Sequence, residues 1–251
     1  IEVCPEDALT LTQDGIITDF AACTLCGKCA EACPTKAIEM SGKLYSAEEL
    51  LDIIEKERVY IDQSGGGVTF SGGEPLMHPE FLIEMLKACG KKGLHRVVDT
   101  SGFADSKTLL EVAKHTDLFL FDLKLMNPEK HKHWTGVSNQ LILKNLRELA
   151  ETGANINIRI PLIKNVNTDE KEMQEMAEYI VGLDLKISDS EFVDPRIPLV
   201  NLLPYHNIAS GKYKKLEIPY DEGEMEEPTE KEIQLAEKIF RSFGIETEVG
   251  G

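Results

Sequence analysis

Several features are scarce in this chain, and each scarcity excludes a class of protein. No run of about eighteen apolar residues occurs in the sequence, so no membrane-spanning helix is expected. Lys and Arg number 27 against 44 Asp and Glu, a formal net charge of −17. This balance argues against nucleic acid and anionic membranes as partners, because phosphate binding needs a basic face. No signal peptide is visible and Ile1 is not a start methionine, so the chain is expected to begin inside a longer product.

Cysteine is nearly absent from the last 218 residues but crowded at the start. Five of the six cysteines lie before position 34, and Cys89 alone lies in the remainder. Such crowding suits a metal or cluster site in a reducing cytoplasm better than a secreted disulfide scaffold.

Four of these cysteines have the spacing of a ferredoxin cluster motif. They follow C-x2-C-x2-C-x3-C-P over residues 23–34, the bacterial arrangement for 4Fe–4S clusters. Zinc and disulfide interpretations stay open, although three closely spaced cysteines and a following Cys-Pro favour iron and sulfur.

The cysteine region also contains an internal repeat. The run C-P-E-D-A-L at 4–9 is echoed by C-P-T-K-A-I at 33–38, and the first copy lacks its front half. In two-cluster ferredoxins the fourth cysteine of each motif ligates the other cluster. That rule predicts that Cys33 serves a second cluster whose other ligands are not in this chain. The ligands predicted for the first cluster are Cys4, Cys23, Cys26 and Cys29.

Beyond this region, strand and helix signals alternate. Strands are predicted near 67–71, 96–100, 117–122, 156–161 and 199–203. Helices are predicted near 46–58, 78–91, 105–115, 138–152, 168–183 and 229–243. The last of these opens with a capping box of Thr229 and Glu232. The alternation is typical of a parallel sheet with crossover helices.

Polar residues stand where each predicted strand ends. Each has an ordinary explanation as a turn former or a surface charge, but in a parallel α/β barrel the carboxyl ends of the strands build the active site. Adjacent glycines let a ligand lie against bare backbone, and a carboxylate beside them could hold a small cation. The candidates, in strand order, are Gly72, Gly73, Glu74, Asp99, Thr100, Asp122, Lys124, Arg159 and His206.

Five motifs together resemble the glycyl-radical-enzyme activating family, the pyruvate formate-lyase activases and their relatives. They are S-G-G-E-P at 71–75, D-T-S-G-F at 99–103, D-L-K at 122–124, T-G-V-S-N at 135–139 and L-L-P-Y-H at 202–206. The resemblance runs from about residue 46 to the end of the chain, and the segment in front resembles the ferredoxin-like insert of many members. It implies an α/β fold over residues 44–251, a partial (β/α)6 TIM-like barrel lacking its first strand. A truncated ferredoxin-like α+β segment, residues 1–43, would precede it.

The resemblance also implies an activity. Family members belong to the radical S-adenosylmethionine superfamily and reduce S-adenosylmethionine on a 4Fe–4S cluster. The resulting 5′-deoxyadenosyl radical takes a hydrogen from a glycine of the partner, a glycyl radical enzyme. A flavodoxin or ferredoxin would supply the electron. Members with such an insert activate dehydratases, decarboxylases and lyases rather than pyruvate formate-lyase itself.

Site roles carry over from the family by position. Gly72, Gly73 and Glu74 would hold the methionine amino group of S-adenosylmethionine. Lys124 and Arg159 would face its carboxylate or ribose, an arrangement that charge complementarity supports. Three further assignments follow: His206 beside the adenosine, Leu123 and Leu125 with Asp122 in the cofactor-binding set, and Asp99, Thr100 and Asp122 as residues that hold a monovalent cation in some members.

The chain departs from the family pattern in one respect. The family places its radical cluster on C-x3-C-x2-C after the first barrel strand, and no such triplet occurs here. We therefore expect no catalytic cluster ligand in this chain, and expect the first strand to precede Ile1. Two other interpretations stay open: an iron–sulfur electron-transfer or binding module that kept the barrel, and a radical S-adenosylmethionine enzyme that acts on a small molecule.

Overall fold

The computed structural model describes residues 1–13, 15–40, 42–183, 185, 199–206 and 223–250. Its contacts divide the chain into two units, Ile1–Ser46 and Ala47–Gly251. Within the described residues, every helix is too short or too polar to cross a membrane.

The first unit consists of a hairpin and a short helix. Strands β1 (Leu9–Thr12) and β2 (Gly15–Thr18) pair antiparallel. Helix α1 (Lys28–Ala32) follows Gly27, whose φ of 77° lies in the left-handed region that glycine adopts without a steric penalty. The cysteine motif therefore continues into one helical turn, which ends at Cys33.

Within its described residues, the second unit contains a six-stranded parallel sheet whose strands lie in chain order. The strands are β3 (Gly67–Phe70), β4 (His95–Thr100), β5 (Leu118–Asp122), β6 (Ile156–Leu162), β7 (Leu199–Pro204) and β8 (Glu246–Val249). The helices are α2 (Ala47–Lys56), α3 (Arg58–Ser64), α4 (Pro79–Lys91), α5 (Ser106–Ala113), α6 (Pro128–Thr135), α7 (Gln140–Glu151), α8 (Glu170–Val181) and α9 (Glu230–Ser242). The five predicted strands and the α/β alternation are confirmed. The capping box at Thr229 is also present.

Among the described α-helices and strands of the second unit, three were not predicted from the sequence: α3, α6 and β8. Helix α6 is mostly polar, although Asn127 accepts from its first amides and Pro128 opens it, which is a recognisable start signal. Helix α3 contributes no fully buried residue, so it lacks a clear apolar stripe. Strand β8 reads E-T-E-V and is mostly exposed, as an edge strand can be.

The sheet is open. Among the described strands, β3 pairs with β4 alone and β8 with β7 alone, so these two strands form its edges. The outer edge of β3, the strand predicted near 67–71, is therefore unpaired among the described residues.

Strand alternation separates the core from the polar side of the sheet. Ile158 and Ile160 on β6 are fully buried in the main apolar cluster, and Arg159 between them points to the opposite side. On β5, Phe121 is buried in the same cluster, while Asp122 follows it and is the register partner of Arg159. Two charged residues are therefore neighbours on the side away from the core.

Candidate functional site

The carboxylate of Glu74 joins the loop after β3 to the end of β4. Its Oε1 accepts hydrogen bonds from the Thr100 hydroxyl at 2.6 Å and the Leu76 amide at 3.2 Å. Its Oε2 accepts from the Ser101 amide at 2.9 Å and the Ser101 hydroxyl at 2.6 Å. With two donors on each oxygen, the carboxylate is held in one orientation and keeps the two loops together.

Asp99 connects three strands. Its Oδ2 accepts a hydrogen bond from the Ser71 hydroxyl at 3.0 Å, at the end of β3. The same oxygen lies 3.0 Å from Nη1 of Arg159, which comes from β6. Both charged side chains are about one-fifth to one-quarter exposed, at 21% for Asp99 and 24% for Arg159, so the pair is reachable from solvent.

The segment after β5 adds a second ion pair. Lys124 Nζ lies 2.7 Å from Oδ2 of Asp122, so these two residues, two positions apart, point to one side. Leu123 and Leu125 alternate with them and are 1% and 2% exposed. Any contact of these two leucines with a ligand would therefore involve backbone groups.

The glycine pair borders open space. A Cβ built on Gly72 or Gly73 would meet no heavy atom within 4 Å among the described residues. Gly72 also has a φ of 133°, which side chains rarely adopt. The backbone of this turn is thus accessible to a ligand, as the sequence predicts.

The contact partner of His206 is Glu227, which belongs to neither of the two ion pairs. Its side chain is exposed, and its Nδ1 lies 3.4 Å from Glu227 Oε1. The preceding residue, Tyr205, donates its amide to the Leu162 carbonyl and so holds the end of β7 beside β6.

The donor set of this strand-end region suits S-adenosylmethionine. Its methionine part carries an ammonium and a carboxylate, and the region presents carboxylates and cations on adjacent strands. The open space beside the backbone of Gly72 and Gly73 leaves room for the methionine part of the ligand. On these residues the site fits that cofactor.

In the first unit, the two copies of the repeat adopt the same turn. Asp7 and Lys36, at equivalent positions, both have positive φ, 49° and 54°. In each copy the alanine that follows donates its amide to the cysteine sulfur, Ala8 to Cys4 at 3.3 Å and Ala37 to Cys33 at 3.2 Å. The repeat recognised in the sequence is therefore a structural repeat, with two equivalent cysteines.

The five cysteines of the first unit are not paired in disulfides. All six are free thiols, and the Leu25 amide donates to Cys23 Sγ at 3.4 Å. Hydrogen bonds from the backbone of Ile38 and from the Thr35 side chain lower the pKa of the Cys33 thiol to about 7. No three His, Cys, Asp or Glu side chains of the described residues converge on a single-ion position. A 4Fe–4S cube is larger than one ion and takes its thiolates at separate corners.

Sequence reasoning assigned no role to several polar residues of the second unit. Ser71 and Ser101 stand inside recognised motifs, and the structure shows what they hold. Asn201 was missed, although an amide within the apolar run L-V-N-L-L at 199–203 is a usable signal. Its Nδ2 donates to the Gly250 carbonyl at 3.0 Å and fastens the end of the chain to β7.

The open parallel sheet with polar strand ends has counterparts among known proteins. The chain matches the model of the radical SAM superfamily over residues 24–179. It is 39% identical to the trans-4-hydroxy-L-proline dehydratase activating enzyme of Clostridioides difficile, over 100% of this chain and 80% of that protein. It is 35% identical to the (2S)-3-sulfopropanediol dehydratase activating enzyme of Klebsiella oxytoca, over 99% of this chain and 77% of that protein.

A solved structure agrees with these relatives. The crystal structure of a domain of pyruvate-formate lyase-activating enzyme from Bacteroides vulgatus matches with a TM-score of 0.60 and 42% identity, over 74% of this chain and 99% of that one. The chain belongs to the radical SAM superfamily and, within it, to the activating enzymes of glycyl radical enzymes. Membership in this superfamily implies S-adenosylmethionine and a 4Fe–4S cluster as cofactors.

Proposed function

We propose that the chain binds S-adenosylmethionine at the carboxyl ends of β3 to β7 and serves the activation of a glycyl radical dehydratase, decarboxylase or lyase. The observation that carries the proposal is the linked set of Glu74, Asp99 and Arg159, which brings three strand ends together beside an open glycine turn. Relatives named as activating enzymes of two dehydratases support this choice of partner. When bound and reduced, the cofactor supplies the radical that takes a hydrogen from the partner's glycine.

The proposed contacts follow the charges of the site. Backbone carbonyls at residues 72–74 accept from the methionine ammonium, because the carboxylate of Glu74 already holds two donors on each oxygen. Lys124 and Arg159 face the carboxylate or ribose, and His206 lies beside the adenosine. Asp122 orients Lys124 through their ion pair, and Leu123 and Leu125 contribute backbone groups.

A monovalent cation is a further proposed ligand of Asp99, Thr100 and Asp122. Asp99 pairs with Arg159 and Thr100 donates to Glu74 in the structure. A cation at this position would therefore share Asp99 with the Arg159 guanidinium, so its binding and that of the cofactor should influence each other.

For the first unit we propose a ferredoxin-like role over residues 1–43. Cys4, Cys23, Cys26 and Cys29 would ligate one 4Fe–4S cluster, with Cys33 directed to another. Such a unit would receive electrons from a flavodoxin or ferredoxin in a reducing cytoplasm, where thiols stay free. The equivalent turns at Cys4 and Cys33 support this assignment.

The binding proposal is tested by charge removal. Lys124→Ala should weaken S-adenosylmethionine binding by roughly tenfold or more, because a charge-assisted hydrogen bond is lost. Lys171→Ala is the matched control, since Lys171 is 84% exposed on α8 and should leave affinity unchanged. Isothermal titration calorimetry of the folded proteins measures the difference. Equal affinities for wild type and Lys124→Ala would refute the proposed site.

A separate prediction concerns catalysis. The 251 residues contain no C-x3-C-x2-C, so the ligands that would place a radical cluster next to the sulfonium are absent from them. With reductant and S-adenosylmethionine, this chain alone should form no 5′-deoxyadenosine above a protein-free control. Multiple turnovers measured by chromatography would contradict the prediction.

A further inference from the structure

Three buried polar side chains form hydrogen bonds to the main chain of residues 124–126, the segment that carries Lys124. Asn139 and Asn167 are each 1% exposed, and Glu172 is 3% exposed. None of them was assigned a role from the sequence, although Asn139 closes the T-G-V-S-N motif. Their partners are backbone groups of consecutive residues, 124, 125 and 126.

The contacts form a continuous clamp on this segment. Asn167 Nδ2 donates to the Lys124 carbonyl at 2.9 Å and to the Pro161 carbonyl at 2.6 Å. Asn139 Nδ2 donates to the carbonyls of Leu125 at 2.8 Å and Met126 at 2.7 Å.

Glu172 on α8 completes the clamp by accepting the Met126 amide. Glu172 Oε2 also lies 3.9 Å from Lys130 Nζ, so its buried charge has a partner. Main-chain groups on both sides of Leu125 are therefore bound to side chains from the residue that precedes α7, from α8 and from the loop after β6.

We propose that Asn139 and Asn167 are positioning residues that fix Lys124 for S-adenosylmethionine, an inference that rests on the proposed function. The register of β5 with β6 ends at Asp122 and Arg159, and the Leu123 amide still donates to the Arg159 carbonyl at 2.9 Å. Beyond it, the side chains of Asn139, Asn167 and Glu172 bind the main chain of residues 124–126. A buried amide that donates to two carbonyls cannot be removed without leaving both unpaired away from water. Without the clamp, Lys124 would lose the fixed backbone that aims its ammonium.

The hydrogen bonds to the Lys124 segment determine the orientation of the Asn139 side-chain amide. Both of its donors point to the carbonyls of Leu125 and Met126, and its Oδ1 has no hydrogen-bond partner among the described residues. An unsatisfied buried acceptor has a cost, which indicates that donation to this segment determines the orientation.

Asn145 provides a comparison on α7, the helix that Asn139 directly precedes. It is 0% exposed, and its Nδ2 donates to two carbonyls, Gly102 and Ala104, both at 2.8 Å. It holds the loop after β4 rather than the Lys124 segment. Asn145 Oδ1 also accepts the Ser106 hydroxyl at 2.7 Å, so alanine at Asn145 removes one more side-chain hydrogen bond than alanine at Asn139, and removes it from a different loop.

A double-mutant cycle separates positioning from general destabilisation. In the 251-residue chain, Asn139→Ala should weaken S-adenosylmethionine binding about tenfold, and in a Lys124→Ala background by less than about twofold. Asn145→Ala should have the same effect in both backgrounds. Circular dichroism confirms folding, and Asn167→Ala, expected to behave like Asn139→Ala, replaces it if that variant does not fold.

Amide hydrogen exchange gives a second readout. Asn139→Ala should speed exchange in residues 122–127, and Asn145→Ala should speed it in residues 101–105 instead. An Asn139 effect on affinity that is undiminished without Lys124 overturns the positioning role and leaves the proposed function intact. No loss of affinity in Lys124→Ala itself overturns the proposed site, and the positioning role with it.

Discussion

Replacing Cys4 by alanine should remove most of the iron from the reconstituted protein, whereas replacing Cys33 should leave roughly four irons per chain. The expected cause is the proposed cross-ligation, in which Cys4 would complete the cluster of Cys23, Cys26 and Cys29 while Cys33 would serve another. The two cysteines lie in equivalent turns, each accepting an amide hydrogen bond from the residue four positions on.

The position of Cys33 supports this unequal pattern. It terminates α1, the helix that contains Cys29, and Pro34 restricts its backbone to an extended conformation, observed at φ −84° and ψ 104°. Iron and acid-labile sulfide after anaerobic reconstitution measure the outcome. Cys89→Ala is the control, because this buried cysteine belongs to the second unit and should leave iron content unchanged.

The opposite pattern would be informative. If Cys33 proves essential and Cys4 dispensable, the four consecutive cysteines of the motif ligate a single cluster. The cross-ligation assignment would then be wrong, while the iron–sulfur nature of the unit would stand.

Gly102→Ala should destabilise the second unit strongly. Its φ of +71° is costly for alanine, by about 1–2 kcal/mol. An added Cβ would also lie 2.0 Å from Cζ of Phe121, a fully buried core residue. Forcing that ring aside in a close-packed core costs a further ~1–3 kcal/mol. A total of about 2–5 kcal/mol corresponds to a Tm lower by roughly 10 °C in a protein of this size.

Gly93→Ala is the matched control for the steric part. Gly93 has nearly the same φ, +69°, but a Cβ there meets nothing within 4 Å. Gly93→Ala should lower the free energy of unfolding only by the cost of the left-handed backbone, about 1–2 kcal/mol. Thermal unfolding followed by circular dichroism compares the two variants. Equal losses of Tm would show that Phe121 yields without cost, contrary to the expected overlap.

The sequence predicted the repetitive parts of the fold well. Alternating apolar residues identified β6, where every second side chain is buried, and the order of strands and helices predicted a parallel sheet. Strand period also placed Asp122 and Lys124 on one side, where they form a 2.7 Å ion pair. Such features depend on residues close together in the chain, so they can be recognised in the sequence before the tertiary structure is known.

The partners of the site residues were not predictable in this way. Glu74 suggested a carboxylate open to a cation, yet it is bound to Thr100, 26 residues away. Asn139 and Glu172 gave no signal of their own, because a buried asparagine and an exposed one look alike in a sequence. Strand β8 escaped for a related reason, since its two glutamates suit an edge that only the sheet defines.

The sequence by itself determined the element order, the cysteine spacing with its repeat, and the set of polar residues at the strand ends. Only the tertiary structure decided how those polar residues are used: Asp99 paired with Arg159, Glu74 tied to Thr100 and Ser101, and the Lys124 segment held by Asn139. The physical reason is range. Turns, strand periods and helix starts are set by neighbouring residues, whereas a buried hydrogen bond between distant residues exists only once the sheet and its helices have brought donor and acceptor together.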